Sequence, residues 1–242
     1  KASKIFTKKS NNYITSKINF TLTNDQNKTL DDINNDLSSK SKMFRLLQGD
    51  VGSGKTIVAL ISSLNVIESG FQVALMAPTE ILARQHYMLA KQLFPKNIYI
   101  KMLSSKNENS EKKIIVEELK NNSIKMVFGT HAIFQKKILF SNLGYIIIDE
   151  QHKFGVRQRK LLSDKGGKNC DILLMSATPI PRTLTMSIYG DMDISIIREK
   201  PNHRKEIKTY SKLDSKVDDV VRFVKKEINE GNQIFWVCPL IE

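Results

Sequence analysis

Residues 49–56 of the chain read Gly49-Asp50-Val51-Gly52-Ser53-Gly54-Lys55-Thr56. They fit the pattern of a glycine, four residues of any type and then Gly-Lys-Thr, in which backbone N–H groups converge on a bound phosphate. The apolar residues 46–47 precede this stretch and predict a strand, and residues 57–61 continue it as a helix whose N-terminus favours an anion. The stretch therefore predicts a nucleotide-binding loop. Lys55 is expected at the β and γ phosphates, and Thr56 is expected to ligate magnesium.

Short apolar runs alternate with amphipathic stretches over most of the 242 residues. Strands are predicted at residues 44–48, 72–77, 98–103, 125–129, 145–149 and 172–175. Helices are predicted between them, for example at residues 55–69, 80–93 and 111–121. This alternation is typical of a mainly parallel sheet flanked by helices, so the predicted fold is a doubly wound α/β domain.

The two ends of the chain differ from this central region. Residues 1–19 are rich in Lys, Ser and Asn, and they predict a flexible connection to something upstream. The run at residues 233–238, which contains Trp236, predicts a buried strand. With a strand at residues 207–210 and a helix at 215–229, it forms the start of a second β-α-β unit that cannot close its own core. The predicted organisation is a connection at 1–19, a domain at 20–197, a linker at 198–206 and a truncated second domain at 207–242.

The formal net charge of +13 suggests a polyanionic partner, because Lys and Arg neutralise phosphates. A solvated basic surface explains the same charge equally well. No apolar run approaches the roughly 20 residues that a membrane helix needs, so no membrane partner is expected and the cytoplasm is the predicted compartment. Cys170 and Cys238 share no metal-like spacing with the four histidines, which predicts free thiols and no zinc site.

An apolar run at residues 145–148 ends in Asp149 and Glu150. Ligands of α/β folds bind at the carboxyl ends of the strands. Asp149 is therefore predicted to hold Mg²⁺, and Glu150 to act as the general base that polarises the attacking water. Such a pair on its own is often a solvated strand end, but together with the loop at residues 49–56 it predicts NTP hydrolysis.

The order of the motifs resembles the first motor domain of superfamily 2 helicases from about Phe20 onward. Besides the phosphate-binding loop, the matching segments are Pro78-Thr79, Gly129-Thr130-His131, Asp149-Glu150-Gln151-His152 and Ser176-Ala177-Thr178. The resemblance implies a RecA-like P-loop NTPase domain followed by the beginning of a second one. It also implies ATP and Mg²⁺ as cofactors.

The resemblance implies roles for further residues. Gln26 is expected to read the edge of the adenine, and Phe20 to stack on the base. Coupling between the nucleotide and the bound strand is implied for Gln151, His152, Ser176, Ala177 and Thr178. Contacts with DNA are implied for Pro78, Thr79, Gly129, Thr130, His131 and Arg182. Two alternatives stay open: His131 caps the following turn instead, and Arg182 belongs to a solvated basic face.

Longer matches, at residues 47–56, 149–159, 176–183 and 189–195, resemble the RecG family of branched-DNA helicases. Transcription-repair coupling translocases share parts of them, but Ser53 and Gln151 are more similar to RecG. The resemblance implies a monomeric motor that remodels stalled forks and Holliday junctions, that is, branched or forked DNA with single-strand/double-strand junctions, in recombination and repair. Two positions depart from related patterns: Glu80 stands where many superfamily 2 helicases have arginine, and Lys153 where this family usually has arginine.

Three functions remain open at this point. The first is a DNA-dependent ATPase motor, the second a phosphotransferase acting on a small molecule, and the third a nucleotide-gated DNA-binding module without turnover. The Ser176-Ala177-Thr178 segment and the second β-α-β start argue against the second. Because the family's arginine fingers lie in the second motor domain, this chain is expected to bind ATP but to hydrolyse it poorly.

Overall fold

The structure is a computed structural model that describes residues 2–4, 8–135, 137–150, 167, 170–178, 192–199 and 208–238, without the side chains of 8–11. The chain divides into two compact units, Lys1–Asn202 and His203–Glu242. The division falls inside the segment that was predicted as a linker, residues 198–206.

Seven strands form one sheet in the first unit. They are β1 (Phe44–Gly49), β2 (Gln72–Met76), β3 (Ile100–Leu103), β4 (Met126–Gly129), β5 (Leu143–Ile148), β6 (Asp171–Ser176) and β7 (Asp193–Ile197). The order across the sheet is β3-β4-β2-β5-β6-β1-β7, and all neighbours pair in parallel. The six predicted strands and the parallel sheet are confirmed, and β7 is an additional edge strand that the sequence analysis did not name.

Five helices are described in the first unit and one in the second. They are α1 (Lys8–Thr15), α2 (Asn24–Ser38), α3 (Lys55–Glu68), α4 (Glu80–Leu93), α5 (Asn109–Lys120) and, in the second unit, α6 (Val217–Asn229). The three helices predicted in the first unit are confirmed, as is the helix predicted at residues 215–229. A 3-10 turn at His131–Phe134 follows β4.

Alternate residues of the strands enter two apolar clusters, one on each face of the sheet. Leu47 of β1 belongs to the cluster that contains apolar residues of α1, α2, α3 and α4. Its neighbour Leu46 belongs to the other cluster, together with Ile115 and Leu119 of α5. Helix α3 is buried without interruption from residue 57 to residue 67, as expected for a helix that is apolar on most sides. Helices therefore cover both faces of the sheet, so the candidate functional site is expected at the ends of the strands.

The prediction that residues 1–19 form a flexible connection is wrong for the part that the structure describes. Helix α1 lies within it, and Ile14 is fully buried in the core. Lys4 is also buried and forms an ion pair with Asp171, the first residue of β6. The segment has too few apolar residues to produce a helical period, so its packing could not be inferred from the pattern.

The second unit contains α6 but no strand among its described residues, 208–238. The strands predicted at residues 207–210 and 234–237 are therefore wrong for that part. Trp236 is 55% exposed and Phe235 88% exposed, so the predicted burial of this run is also wrong. A strand needs a neighbouring strand for its backbone hydrogen bonds, and this short piece supplies none in its described part. None of the described residues 208–238 is buried, α6 included. That this piece cannot close its own core stays a prediction.

Within the described residues, no helix combines the length and the apolar character needed to cross a membrane. Cys170 is buried and Cys238 is exposed, and both are free thiols, as predicted. The described part of the chain also has no group of three or more His, Cys, Asp and Glu side chains arranged to hold a metal ion.

Candidate active site

The loop at residues 49–56 connects the carboxyl end of β1 to the first turn of α3. The Ser53 N–H donates to the Asp50 carbonyl oxygen at 3.0 Å and closes the turn. Lys55, the first residue of α3, donates from its ammonium to the carbonyl oxygens of Gly49 at 2.6 Å and Asp50 at 3.1 Å. Thr56 follows it in the same helical turn and is half-buried. The ammonium thus lies over the loop, where a phosphate would compete with the two carbonyl groups for it.

Gln26 is fully buried against this loop. Its side-chain oxygen accepts from the Thr23 N–H at 2.9 Å, which with the Thr23 hydroxyl forms a capping box at the start of α2. Its side-chain nitrogen donates to the Ser53 carbonyl oxygen at 2.7 Å. Gln26 therefore fixes α2 to the phosphate-binding loop, and its reading of the adenine stays a prediction. Phe20 is partly buried and packs against the core, so base stacking by this residue is likewise untested.

Gly54 leaves no room for a side chain next to Gln26. Its φ is +92°, and an added Cβ would lie 2.3 Å from the Gln26 side-chain nitrogen. We expect Gly54→Ala to destabilise the fold by about 2–4 kcal/mol, from left-handed backbone strain and from displacement of Gln26. Gly70→Ala is the matched control, since Gly70 has φ +86° with nothing within 4 Å, and it should cost only about 1–2 kcal/mol. Urea unfolding of both variants tests this, and equal losses would contradict the Gln26 contact.

Asp149 and Glu150 follow β5 at the same edge of the sheet. The Asp149 side chain is nearly buried, and one carboxylate oxygen lies 2.7 Å from Nε2 of His86 on α4. The other oxygen accepts from the Glu150 N–H at 3.0 Å. Glu150 itself has φ +51°, a left-handed conformation that costs a non-glycine residue free energy. Strain of this kind concentrates at functional sites, which agrees with the predicted catalytic position of Glu150.

The lysine of the loop and the acidic pair act on one another electrostatically. Burial lowers the pKa of Lys55 below its ordinary value, because it disfavours the charged ammonium. The carboxylates of Asp149, Glu150 and Asp50 oppose this and raise the pKa. Lys55 and Asp50 lie in the loop after β1, and Asp149 and Glu150 follow β5, so all four groups lie at the carboxyl edge of the sheet. The negative charge of a bound phosphate would favour the ammonium further.

The Ser176-Ala177-Thr178 segment ends β6, which lies between β1 and β5. Ser176 is in register with Gln48 of β1, next to the phosphate-binding loop. Its hydroxyl oxygen accepts from the Thr178 N–H at 3.2 Å, and the two hydroxyl oxygens are 3.1 Å apart. The segment is thus a tight turn between the two halves of the nucleotide site, a position suited to its predicted coupling role. Three other predicted residues lie outside the described part of the chain: Gln151, His152 and Arg182.

The predicted DNA contacts follow β2 and β4, which pair with each other. Pro78 and Thr130 are half-buried, whereas Thr79 and His131 are exposed. The Thr79 side chain caps α4 by accepting from a backbone N–H, and His131 begins the 3-10 turn. Gly129 is required for close packing here, since an added Cβ would lie 2.6 Å from the Leu103 carbonyl oxygen. Because β2 also pairs with β5, this edge adjoins the acidic pair.

Glu80, which stands where many superfamily 2 helicases have arginine, has a structural partner in the loop after β3. Its carboxylate accepts from both the N–H and the hydroxyl of Ser105, at 2.7 and 2.6 Å. These hydrogen bonds lower the pKa of Glu80. They join the first turn of α4 to the loop between β3 and α5.

His86, the partner of Asp149, was not among the residues predicted from the sequence. On α4 it shares the buried stripe with Ala83, Ala90 and Leu93. A histidine on an otherwise apolar stripe, in the helix that follows a motif, was the available signal. Its partner is 63 residues away in the chain, so only the fold reveals the contact.

The chain matches the family described as DEAD/DEAH box helicase over residues 23–187. It is 50% identical over 228 residues to the ATP-dependent DNA helicase RecG of Aquifex aeolicus, covering 93% of this chain and 29% of that protein. With RecG of Borreliella burgdorferi the identity is 48% over 229 residues, covering 94% of this chain and 33% of the relative. The chain thus spans about a third of the length of the curated relatives that it matches.

Among solved structures, a RecG bound to a three-way DNA junction superposes with a TM-score of 0.86 at 42% identity. The match covers 99% of this chain and 32% of that one. The predicted RecA-like fold and the resemblance to RecG are therefore confirmed. By its matched motifs and by the arrangement of its sheet, the chain belongs to the DEAD/DEAH box helicase family and is similar within it to RecG.

Proposed function

We propose that this chain is the ATP-binding first motor domain of a RecG-type DNA helicase, which uses ATP hydrolysis to remodel branched DNA in recombination and repair. The observation that carries the proposal is the arrangement at the carboxyl edge of the sheet. Lys55 lies over the phosphate-binding loop and is electrostatically coupled to Asp149 and Glu150. A phosphate-binding cation, a buried carboxylate and a second carboxylate beside it are what phosphoryl transfer to water requires.

Each residue of this arrangement has a distinct role in the proposal. The loop N–H groups and the N-terminus of α3 bind the phosphates, and Lys55 adds a mobile positive charge. Glu150 accepts the proton of the attacking water. The carboxylate of Asp149 and the hydroxyl of Thr56 also suit Mg²⁺, a hard cation that takes oxygen ligands, usually one or two carboxylates plus phosphate oxygens. Asp149 and Thr56 would hold it, and when bound it neutralises charge on the phosphates.

The DNA side of the proposal rests on the edge formed after β2 and β4. Thr79 and His131 are exposed there, and the chain carries a net charge of +13, which suits a phosphate backbone. The related RecG in the solved structure is bound to a three-way junction, and from it we infer branched DNA as the substrate. We further infer that the motor is monomeric and that it works in the cytoplasm, where bacterial DNA lies.

The proposal expects ATP binding by this chain but little turnover. By the resemblance, the arginine fingers belong to the second motor domain, and such an arginine contributes about 10³–10⁵ in rate in other phosphoryl-transfer systems. The described residues of the second unit form one helix without any buried residue. That observation favours a second candidate function for the isolated chain, namely a nucleotide-gated DNA-binding module without turnover.

Replacing Lys55 with alanine is expected to weaken ATP binding by about 10- to 100-fold, because a charge-assisted hydrogen bond contributes about 1.5–3 kcal/mol. The measurement is a titration of the 242-residue chain with a fluorescent ATP analogue in the presence of Mg²⁺. Lys91→Ala is the matched control, since Lys91 lies in the last turn of α4, at the end of the helix away from the site. Equal affinities for Lys55→Ala and the unaltered chain would contradict the proposed phosphate site.

The motor role is tested in a full-length RecG protein in which this chain forms the first motor domain. We expect forked DNA to stimulate its steady-state ATP hydrolysis. Turnover that is indifferent to DNA would overturn the helicase proposal. Forked-DNA binding by the 242-residue chain that changes with ATP, without turnover, would support the second candidate for the isolated chain.

A further inference from the structure

His86 and Asp149 form a buried polar pair at the edge of the nucleotide site. Nε2 of His86 lies 2.7 Å from a carboxylate oxygen of Asp149, and the two residues are only 7% and 8% exposed. A polar pair that is so little exposed needs well-placed hydrogen bonds, because few water molecules can reach either group. The pair therefore fixes where the Asp149 carboxylate points.

The cap and the packing of α4 set the position of His86 in the fold. Helix α4 is capped by the Thr79 side chain, and it packs through a buried stripe at Ala83, His86, Ala90 and Leu93. Every other member of that stripe is apolar, so packing alone does not call for an imidazole at position 86. The polar side chain occurs where the stripe meets the carboxyl end of β5.

The second Asp149 oxygen is also engaged, because it accepts from the Glu150 N–H at 3.0 Å. Each carboxylate oxygen has two lone pairs, so both hydrogen bonds leave acceptor capacity for a cation or its water ligands. In metal sites, outer hydrogen-bond partners orient the carboxylate that binds the ion, and removing one typically costs 10–100-fold in metal affinity.

We propose that His86 is a positioning residue for Mg²⁺ binding: its imidazole holds the Asp149 carboxylate in the orientation that the magnesium–nucleotide complex requires. This inference rests on the proposed function, since it assumes that Asp149 serves Mg²⁺. It assigns to α4 a role in the nucleotide site, in addition to the DNA contacts predicted for Pro78 and Thr79 just before the helix.

The test compares two neutral polar replacements that differ in reach. The amide nitrogen of His86→Gln extends to the place of Nε2 and can keep the hydrogen bond to Asp149. In His86→Asn the amide is shorter and falls near the place of Nδ1, so the hydrogen bond is lost. The measurement is the affinity of the 242-residue chain for a fluorescent ADP analogue over a series of Mg²⁺ concentrations.

For His86→Asn we expect the Mg²⁺ concentration at half-maximal effect to rise by about 10-fold or more. His86→Gln should stay within about threefold of the unaltered chain, and nucleotide affinity without Mg²⁺ should be the same in all three. If His86→Asn does not fold, His86→Phe replaces it, because it fills the same space without a polar group. A merely structural role for His86 predicts variants that lose stability while their Mg²⁺ midpoints stay unchanged.

The role of His86 and the proposed Mg²⁺ site can be overturned separately. If nucleotide binding by the unaltered chain depends on Mg²⁺, and the Mg²⁺ midpoint is the same in His86→Asn or His86→Phe, then only the role of His86 is overturned. An unaltered chain whose nucleotide affinity ignores Mg²⁺ overturns the proposed metal site and the role of His86 with it.

Discussion

Replacing Glu150 with glutamine is expected to lower ATP hydrolysis by about 10²–10⁴-fold while ATP binding is retained. Glutamine has nearly the same size and keeps a hydrogen-bonding oxygen, but it cannot take the proton of the attacking water. The phosphates are bound elsewhere, by the loop at residues 49–56. The measurement is DNA-stimulated turnover of a full-length RecG protein that contains this chain, together with its affinity for fluorescent ATP.

Glu68→Gln is the matched control for this variant. Glu68 ends α3, at the opposite end of the helix that begins with Lys55, and it is exposed. The control should keep turnover within about twofold, as expected for a surface substitution. Unchanged hydrolysis by Glu150→Gln would assign the general base to another residue. A parallel loss of ATP affinity would mean that Glu150 acts in binding instead.

The parts of the site that could be predicted from the sequence are those defined by local spacing. The glycines and lysine of the phosphate-binding loop lie within eight consecutive residues, and the acidic pair follows directly on an apolar strand. The parallel sheet then brings them together, because all carboxyl ends lie at one edge. Pattern and fold agree here since both depend on short-range periodicity.

The contacts that hold the site were not predictable in the same way. His86 reaches Asp149 across 63 positions, and Gln26 reaches Ser53 across 27. A periodic pattern identifies the buried face of α4 but gives no information about which strand end that face meets. The capping box that engages the Gln26 side-chain oxygen could have been predicted from the spacing of Thr23 and Gln26, and the reading of the adenine by Gln26 stays a prediction.

The errors at the two ends of the chain have a common cause. Residues 1–19 were interpreted by their polar composition, yet the buried Lys4 and Ile14 are fixed by contacts with distant parts of the first unit. The run that includes Trp236 was interpreted by its apolar composition, yet it is exposed in a unit whose described residues form no sheet. Composition gives the burial that a segment favours, and the partners available to it decide whether that burial occurs.

Replacing Lys4 with methionine is expected to destabilise the first unit by about 3–5 kcal/mol, the usual cost of removing one member of a buried ion pair. Lys4 pairs with the fully buried Asp171, whose other carboxylate oxygen accepts from the Met43 N–H at 2.7 Å. Without the ammonium, the buried negative charge of Asp171 loses its ion pair with Lys4, and the loss of one member of such a pair is unfavourable. Urea unfolding followed by circular dichroism measures the loss.

Lys17→Met separates the ion pair from the cation–π contact that both lysines make. The Lys4 ammonium lies 4.9 Å from the centre of the Phe71 ring, and the Lys17 ammonium lies 4.5 Å from that of Tyr13. Lys17 is exposed, so its loss should cost no more than about 1 kcal/mol. The double variant Lys4→Met with Asp171→Asn should recover part of the stability, because it removes the buried charge. If Lys4→Met were as mild as Lys17→Met, the amino-terminal segment would not be anchored by this pair, and α1 alone would account for its packing.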